Sequence, residues 1–219
     1  YALDSGVKRL DIFFMIGLPK QDHQSVMDTV DYCQYLMTDL DQGPSRRLIP
    51  FISPLAPFLD PGSPVFENPE RHGYRFFVRS LEEHRQALVQ PSWKYVLNYE
   101  TEWMNRDQIV DSTYEAGLRL NRLKAECGVI APAQAERTEA RILKARRLIA
   151  QVDDIVSIED AERRAKLLRA IKPQVDDANL STVCDKAELN VPMRGIKLNL
   201  PRAASLFVEQ TLRRLLPQS

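Results

Sequence analysis

The strongest constraint on the fold is a strand–helix–strand pattern near the start of the chain. The apolar run 10–18 is rich in β-branched and aromatic residues and is followed by proline, which is typical of a buried strand in a parallel sheet. A polar loop over 19–24 and a predicted N-cap at Ser25 lead into an amphipathic helix. Its apolar stripe consists of Val26, Val30, Cys33, Met37 and Leu40. A second apolar run over 48–55 completes a βαβ unit, for which we expect parallel strands and a right-handed crossover.

Proline divides the chain into two parts. Six of the fourteen prolines fall between Pro50 and Pro69, so this stretch is expected to be extended or looped. The part beyond it is predicted to be mostly helical. The first predicted helix covers 74–89, with Phe77, Leu81 and Leu88 facing inward. Further helices are predicted to begin near Asn105 or Asp107, at Pro132, and after an N-cap at Ser157. Beyond an irregular segment over 173–201, a last helix is predicted to carry Ala204, Phe207, Val208 and Leu212.

Charge and composition exclude several classes of protein. Thirty Lys and Arg balance thirty Asp and Glu, whereas nucleic-acid binders carry clustered positive charge, so we expect no nucleic-acid partner. There is no apolar run long enough to span a bilayer and no signal peptide, so neither a membrane partner nor secretion is expected and a cytoplasmic location is predicted. Cys33, Cys127 and Cys184 lie far apart and are predicted to be reduced thiols. Because the chain opens on Tyr1 and reaches a strand within ten residues, we expect it to be a piece of a longer protein.

The end of the first predicted strand is the most informative candidate site. It reads MIGLPKQD over 15–22, and ligands of open α/β folds and barrels bind where the carboxyl ends of parallel strands meet. Glycine at such a position lets the backbone approach a flat ligand closely. A βα turn that needs Gly and Pro only for its geometry explains the spacing at least as well, so the spacing alone leaves both interpretations open.

The segments that carry a family resemblance are LDIFFMIGLPKQDHQSVMDTVDYCQYLM, LIPFISPLAPFLDPGSPVFENPERHGYRFF and WKYVLNYETEWMNRDQIVDSTYEAGLRLNRLK. The first resembles the fifth strand and following helix of the radical SAM catalytic domain, and the second is similar to the sixth strand and exit segment of its cobalamin-binding branch. The match is tight over 1–80 and looser in the third segment. It implies an α/β fold in which 1–70 form the last part of a partial (β/α) barrel, with two parallel strands and a helix, and 71–219 form a helical C-terminal extension.

The resemblance implies an S-adenosylmethionine pocket at the ends of both strands. Gly17 matches the strand-five glycine that lies against the bound molecule. The other residues implied in this pocket are Ile16 and Leu18, as apolar contacts to adenine, Gln21, where the family often has Glu or Gln, and Ser53 and Pro54 at the end of the sixth strand. Lys20 departs from the glycine usual in this loop, which bears on the loop's conformation.

The resemblance also implies cofactors that this chain cannot hold by itself. The family binds a 4Fe–4S cluster through a CxxxCxxC motif, and no such spacing occurs here. The cluster, its cysteines and a cobalamin-binding domain are therefore expected in an N-terminal part of the same protein, which becomes a partner together with a small-molecule substrate. The fragment alone is expected to be unable to cleave S-adenosylmethionine reductively. The complete enzyme would form a 5′-deoxyadenosyl radical and, in many members, transfer a methyl group from methylcobalamin.

Other chemistry-bearing residues have simpler explanations. The histidines are scattered without metal-site spacing, the paired carboxylates point to different helix faces, and the basic patch is interleaved with Glu. The aromatic residues near the proline-rich stretch suit a core as well as a substrate pocket. An extended lid is a further interpretation of the segment between the two tryptophans. These sets are His23, His72 and His84; Glu82–Glu83 and Asp153–Asp154; Arg137, Arg141, Lys144, Arg146 and Arg147; Phe51, Phe58, Phe66, Tyr74, Phe76 and Phe77; Trp93 and Trp103.

Two further functions remain as alternatives. The missing cysteine motif and the helical rear part also suit a non-catalytic helical interaction module, in which the short βα unit serves only for docking. An ordinary α/β transferase without a metal is less favoured, because no phosphate-binding Gly cluster or nucleophile constellation occurs.

Overall fold

The front of the chain forms the predicted strand–helix–strand unit. The structure, a computed structural model, describes residues 2–43, 46–54 and 59–178. Strand β1 covers Leu10–Ile16, helix α1 covers His23–Tyr35 and continues as a π-helical turn over Leu36–Leu40, and strand β2 covers Leu48–Pro54. β1 and β2 pair in parallel along their whole length, from Leu10 opposite Leu48 to Ile16 opposite Pro54. The two strands, the helix and the parallel pairing are thus confirmed.

The N-cap of α1 lies three residues earlier than predicted. The Asp22 carboxylate accepts a hydrogen bond from the Ser25 backbone N–H, and the Ser25 hydroxyl accepts one from the Asp22 N–H. Asp22 is therefore the N-cap and Ser25 is the third residue of a capping box, so the prediction of Ser25 as the cap is wrong.

The middle of the chain contains short elements, of which the sequence pattern predicted only the helical segment Leu81–Leu88. In order they are α2 (Pro64–Glu67), a 3-10 turn (Glu70–His72), β3 (Tyr74–Phe76), α3 (Leu81–Leu88), α4 (Trp93–Val96) and β4 (Tyr99–Thr101). β3 and β4 form an antiparallel pair, the β3–β4 hairpin, whose long connection contains α3 and α4. The helix predicted over 74–89 is wrong in its first half, and the inward face assigned to it is also wrong: Leu81 is 87% exposed and Leu88 58%.

Three long helices follow: α5 (Arg106–Glu126), α6 (Pro132–Val156) and α7 (Ala161–Ala178). Asn105 caps α5 through a hydrogen bond from the Gln108 N–H, and Pro132 is the first residue of α6, as predicted. Ser157 ends α6 instead of capping α7. Near the start of α7, the Asp160 carboxylate instead accepts hydrogen bonds from the backbone N–H groups of Glu162 and Arg163. Helix α7 continues through Pro173, so the irregular segment predicted over 173–201 is wrong up to Ala178.

Two hydrophobic clusters hold these elements together. The first joins the β1–β2 unit and α1 to the β3–β4 hairpin and α5, and includes Ile16, Val30, Ile52, Tyr99 and Ile109. The second lies among the long helices and includes Tyr114, Leu118, Ile142, Leu148 and Ala178. The described part of the chain is thus mixed α/β and mostly helical, with few short strands.

Some predictions stay untested by the structure. The described residues all belong to one unit, Tyr1–Lys186, so the division at residue 70 stays a prediction. Phe58, Cys184 and the predicted helix around 204–212 lie outside the described residues. No helix within the described ranges is long and apolar enough to cross a membrane.

Candidate functional site at the carboxyl end of β1

The Gln21 side chain completes the end of β1. Its amide oxygen accepts hydrogen bonds from the backbone N–H groups of Gly17 (2.8 Å) and Leu18 (3.2 Å), and its Nε2 donates to the Met15 carbonyl (3.2 Å). The Leu10 N–H donates a hydrogen bond to the Arg47 carbonyl, just before β2. Because backbone groups alternate in direction along a strand, the even-numbered residues of β1 face β2 and the odd-numbered residues direct their N–H and C=O groups away from it. The Gln21 amide therefore takes the place that a neighbouring strand would have at the last residues of β1.

The loop after Gly17 keeps a conformation suited to glycine. Lys20 has a φ of 63°, in the left-handed region that few non-glycine residues adopt. This is the position where the resembling family commonly has glycine. The backbone at Lys20 thus has the left-handed geometry that glycine adopts most readily, although the residue is lysine.

Two tyrosines from the β3–β4 hairpin enclose Gly17. The Tyr74 hydroxyl donates a hydrogen bond to the Gly17 carbonyl at 2.9 Å, and burial raises the pKa of Tyr74 to about 12. Gly17 has a φ of 91°, and a Cβ at this position would lie 2.8 Å from the Tyr99 hydroxyl oxygen and 3.2 Å from a Tyr99 ring carbon. Since no Cβ fits there, the close approach of Tyr99 explains the glycine without any ligand.

The six residues implied in the S-adenosylmethionine pocket are only partly brought together. Gly17, Leu18 and Gln21 are joined by the hydrogen bonds above, and Ile16 and Pro54 are register neighbours at the ends of the two strands. The side chain of Ile16 is completely buried in the first hydrophobic cluster, whereas Leu18 and Ser53 are partly exposed. The assignment of the pocket stays a prediction.

Sequence reasoning missed Tyr99 as a neighbour of this site and weighed Tyr74 only as one of several aromatic residues. Tyr74 contacts Gly17 across 57 positions of sequence. The two tyrosine rings meet edge to face at 5.4 Å. No local pattern signals such a contact, because it depends on how the hairpin packs on the end of β1.

Two of the three histidines bind protein groups within the described part of the chain. His84 Nδ1 lies 2.9 Å from the Ser80 carbonyl, and its Nε2 lies 3.0 Å from the Asn98 amide. His23 Nδ1 lies 3.0 Å from the Ser112 hydroxyl, and its Nε2 lies 3.6 Å from a Glu115 oxygen. The second arrangement contains the residue types of a serine hydrolase triad, but Ser112 is buried inside α5 and therefore inaccessible to a substrate.

The thiols and carboxylates of the described residues offer no site for a metal cluster. Within these ranges, no three His, Cys, Asp or Glu side chains converge as a metal site. Cys33 is buried on the predicted apolar stripe of α1, and burial raises the pKa of its thiol to about 12, although Lys124 partly opposes the shift. Such a thiol is a poor nucleophile and a poor metal ligand at neutral pH.

A separate cleft lies beside the β3–β4 hairpin, with a volume of about 670 Å³. Its walls come from both strands of the hairpin, from the turn before β3 and from the first residues of α5. Tyr74 and Phe76 line it, so part of the aromatic set weighed as a substrate pocket does face a cavity. The extended lid considered between Trp93 and Trp103 is wrong, because this segment forms α4 and β4.

Comparison of this chain with protein-family models, with curated proteins and with solved structures finds no match. The radical SAM resemblance therefore depends on the motifs quoted from the sequence. The geometry at the end of β1 is compatible with a ligand at the exposed parts of Leu18 and Ser53. The contacts of Gln21, Tyr74 and Tyr99 with Gly17 also account for this geometry without a ligand.

Proposed function

We propose that this chain is the C-terminal part of a cobalamin-dependent radical SAM enzyme. In this proposal β1 and β2 are late strands of a partial (β/α) barrel, and their carboxyl ends contribute to the pocket for S-adenosylmethionine. The observation that carries the proposal is the parallel, fully registered β1–β2 pair, which ends at the Gly-Leu-Pro sequence on one strand and at Ser53-Pro54 on the other.

The open edge of β1 supports further strands beyond it. In the described residues β1 pairs only with β2, although parallel strands are usually paired on both sides and covered on both faces. Leu10, Phe13 and Met15 are 37%, 61% and 42% exposed. Two parallel strands form a marginal sheet by themselves, so we expect the rest of the barrel to pair with this edge before Met15, where the Gln21 amide takes over, and to cover these side chains.

The role of this chain in the reaction is to bind and orient. The described residues do not fit a 4Fe–4S cluster, so in this proposal the upstream part of the protein would hold it. The backbone of Leu18 and the side chain of Ser53 would contact the bound nucleoside, while Gln21 and Tyr74 hold the Gly17 backbone in place. Such positioning is what the protein supplies to a cofactor-driven reaction.

The test uses the protein extended upstream from Tyr1 along its reading frame. The proposal predicts a CxxxCxxC motif there, and release of 5′-deoxyadenosine from S-adenosylmethionine after anaerobic reconstitution with iron and sulfide under reducing conditions. Absence of the motif, of cluster absorbance and of 5′-deoxyadenosine would contradict it.

The variant for this test is Ser53→Ala, because changes at Gly17 also disturb Tyr99. We expect Ser53→Ala to weaken S-adenosylmethionine binding several-fold, as the loss of one hydrogen bond would. Ser5→Ala is the matched control, since Ser5 is exposed in the N-terminal turn and donates only to the Ala2 carbonyl. Equal affinities of the two variants would remove Ser53 from the pocket.

A non-catalytic interaction module is the second candidate function. It is favoured by Tyr99, which fills the space beside Gly17, so that packing alone explains why this residue is glycine. Exposed apolar side chains on and after α3, Leu81, Leu88 and Val89, would then belong to a partner surface. The extended protein distinguishes the two, since a docking module needs neither a cluster nor S-adenosylmethionine.

A further inference from the structure

The cleft beside the β3–β4 hairpin has an aromatic wall built around Gly73. Gly73 ends the 3-10 turn with a φ of 70°, and a Cβ at this position would clash with the six-membered ring of Trp103. The Glu102 carboxyl carbon comes within 3.5 Å of the same position. The Glu102 backbone N–H donates to the Gly73 carbonyl at 2.9 Å, which fixes the two segments together.

The positive charges of the cleft are already engaged. Arg75 forms an ion pair with Glu100 across the hairpin, where the two residues are register neighbours. The Arg79 guanidinium lies 5.7 Å from the centre of the Phe66 ring and 5.9 Å from that of Phe76, and it donates to the Phe66 carbonyl. Glu100 thus neutralises Arg75, whereas Arg79 is held against two rings and keeps its positive charge, so three carboxylates face two guanidinium groups in the lining of the cleft.

The negative charges of the cleft are not all engaged. Among the described residues, the exposed carboxylates of Glu70 and Glu102 have no ion-pair or hydrogen-bond partner, and both line the cleft with Trp103. The Glu70 carbonyl accepts the Gly73 N–H, which places Glu70 in the turn that contacts the indole ring. An indole ring and carboxylates that line one cavity suit a cation, since the ring quadrupole and the negative charges both attract it.

We propose that this cleft binds a small organic molecule through an ammonium group, held between Trp103 and the carboxylates of Glu102 and Glu70. The volume of about 670 Å³ lies within the range of small-molecule sites. The proposal goes beyond the barrel function and does not depend on it, because it concerns residues of this chain alone. In a radical SAM enzyme such a ligand would be the substrate.

The test compares three probes of one shape and different charge: choline, its neutral isostere 3,3-dimethylbutan-1-ol and the anion 3,3-dimethylbutanoate. The chain carries Trp93→Phe, so that the fluorescence of the second tryptophan, Trp103, reports binding. We expect choline to bind about tenfold more tightly than the neutral isostere, and the anion to bind most weakly. Stronger binding of the anion, equal binding of the cation and the neutral isostere, or no response to choline would overturn the proposal.

Variants locate the binding site. Glu102→Gln should weaken choline binding about fivefold and leave the neutral isostere unchanged, because only the cation gains from the carboxylate. Glu126→Gln is the matched control, an exposed glutamate at the other end of α5. Trp103→Leu should weaken binding of the cation further, measured by NMR in place of fluorescence. If Glu102→Gln and Glu126→Gln bind choline equally, the site is not this cleft.

Discussion

The β1–α1–β2 unit and the bundle of α5, α6 and α7 differ in how completely they bury their own apolar surface. In the bundle, Ile142 is fully buried and Leu148 and Val152 nearly so, and ion pairs such as Arg122–Glu139 and Lys144–Asp177 join one helix to the next. In the front unit, the edge strand leaves Phe13 mostly exposed. The helices of the bundle thus bury their apolar side chains against one another, whereas the front unit has an exposed edge on which another part of a protein can pack. Four predictions test this difference.

The largest effect is expected in the bundle. Ile142→Ala should lower the free energy of unfolding by about 3 kcal/mol, because it removes a fully buried side chain from the second hydrophobic cluster. Leu143→Ala, at the next position of α6 and 40% exposed, should cost about 0.5 kcal/mol or less. Urea unfolding measures both, and similar losses would show that the bundle core is not where the structure has it.

The next effect concerns the junction between the front unit and the hairpin. Gly17→Ala should cost about 2 kcal/mol, because the new methyl group meets Tyr99 and the φ of 91° is strained for alanine. Gly6→Ala separates the two causes: Gly6 has a φ of 84° with nothing within 4 Å, so only strain of about 1 kcal/mol is expected there. Equal losses would argue against the contact between Gly17 and Tyr99.

A smaller effect appears at alkaline pH in the core of the front unit. Burial raises the pKa of the Cys33 thiol from 9.0 to about 12, so the folded state holds its proton where the unfolded chain releases it. The contribution to stability is complete below pH 9 and is lost as the pH rises from 9 to 12, by at most about 1.4 kcal/mol per pH unit.

Cys33→Ala should therefore flatten the decline of stability between pH 9 and 10, before Tyr74 begins to contribute above pH 10. Cys127→Ala, which removes a less buried thiol whose pKa is also raised, should flatten it less. Urea unfolding at a series of pH values gives the slopes. A slope unchanged by Cys33→Ala would mean that this thiol is accessible to water.

The smallest effect is expected on the open face of β1. Phe13→Ser should lower the unfolding free energy of this chain by about 0.5 kcal/mol, since the ring is 61% exposed and its stacking on Phe51 is worth about that much. In the extended protein the same change should cost clearly more, because further strands would cover the ring. An equal, small cost in both proteins would mean that nothing packs on this face.

The sequence predicted those elements whose signal is local. β1, α1 and β2 follow from two apolar runs and one helical stripe, and α5 and α6 begin at the predicted Asn105 and Pro132. Capping was harder, because Asp22 and Asp160 are as suitable for an N-cap as Ser25 and Ser157, and each candidate would start the helix at a different residue. Which side chain wins depends on backbone geometry that the spacing does not fix.

The hairpin could not be predicted, since its strands are three residues long and pair across a long connection. Phe77, Leu81 and Leu88 have helical spacing, yet they lie on exposed surface, where periodicity does not report burial. The candidate site could likewise be predicted only where its residues form a local motif. Its glycine was found from the motif, whereas Tyr99 beside it and the cleft around Gly73 result from tertiary packing alone.

The central proposal is that S-adenosylmethionine contacts the carboxyl ends of β1 and β2. Hydrogen exchange of the reconstituted, extended protein, measured with and without S-adenosylmethionine, tests this most directly. We expect slower exchange in peptides covering 15–22 and 51–54 when S-adenosylmethionine is added, and no change with adenosine and methionine supplied separately. Unchanged exchange in both peptides, in a preparation that cleaves S-adenosylmethionine, would contradict it.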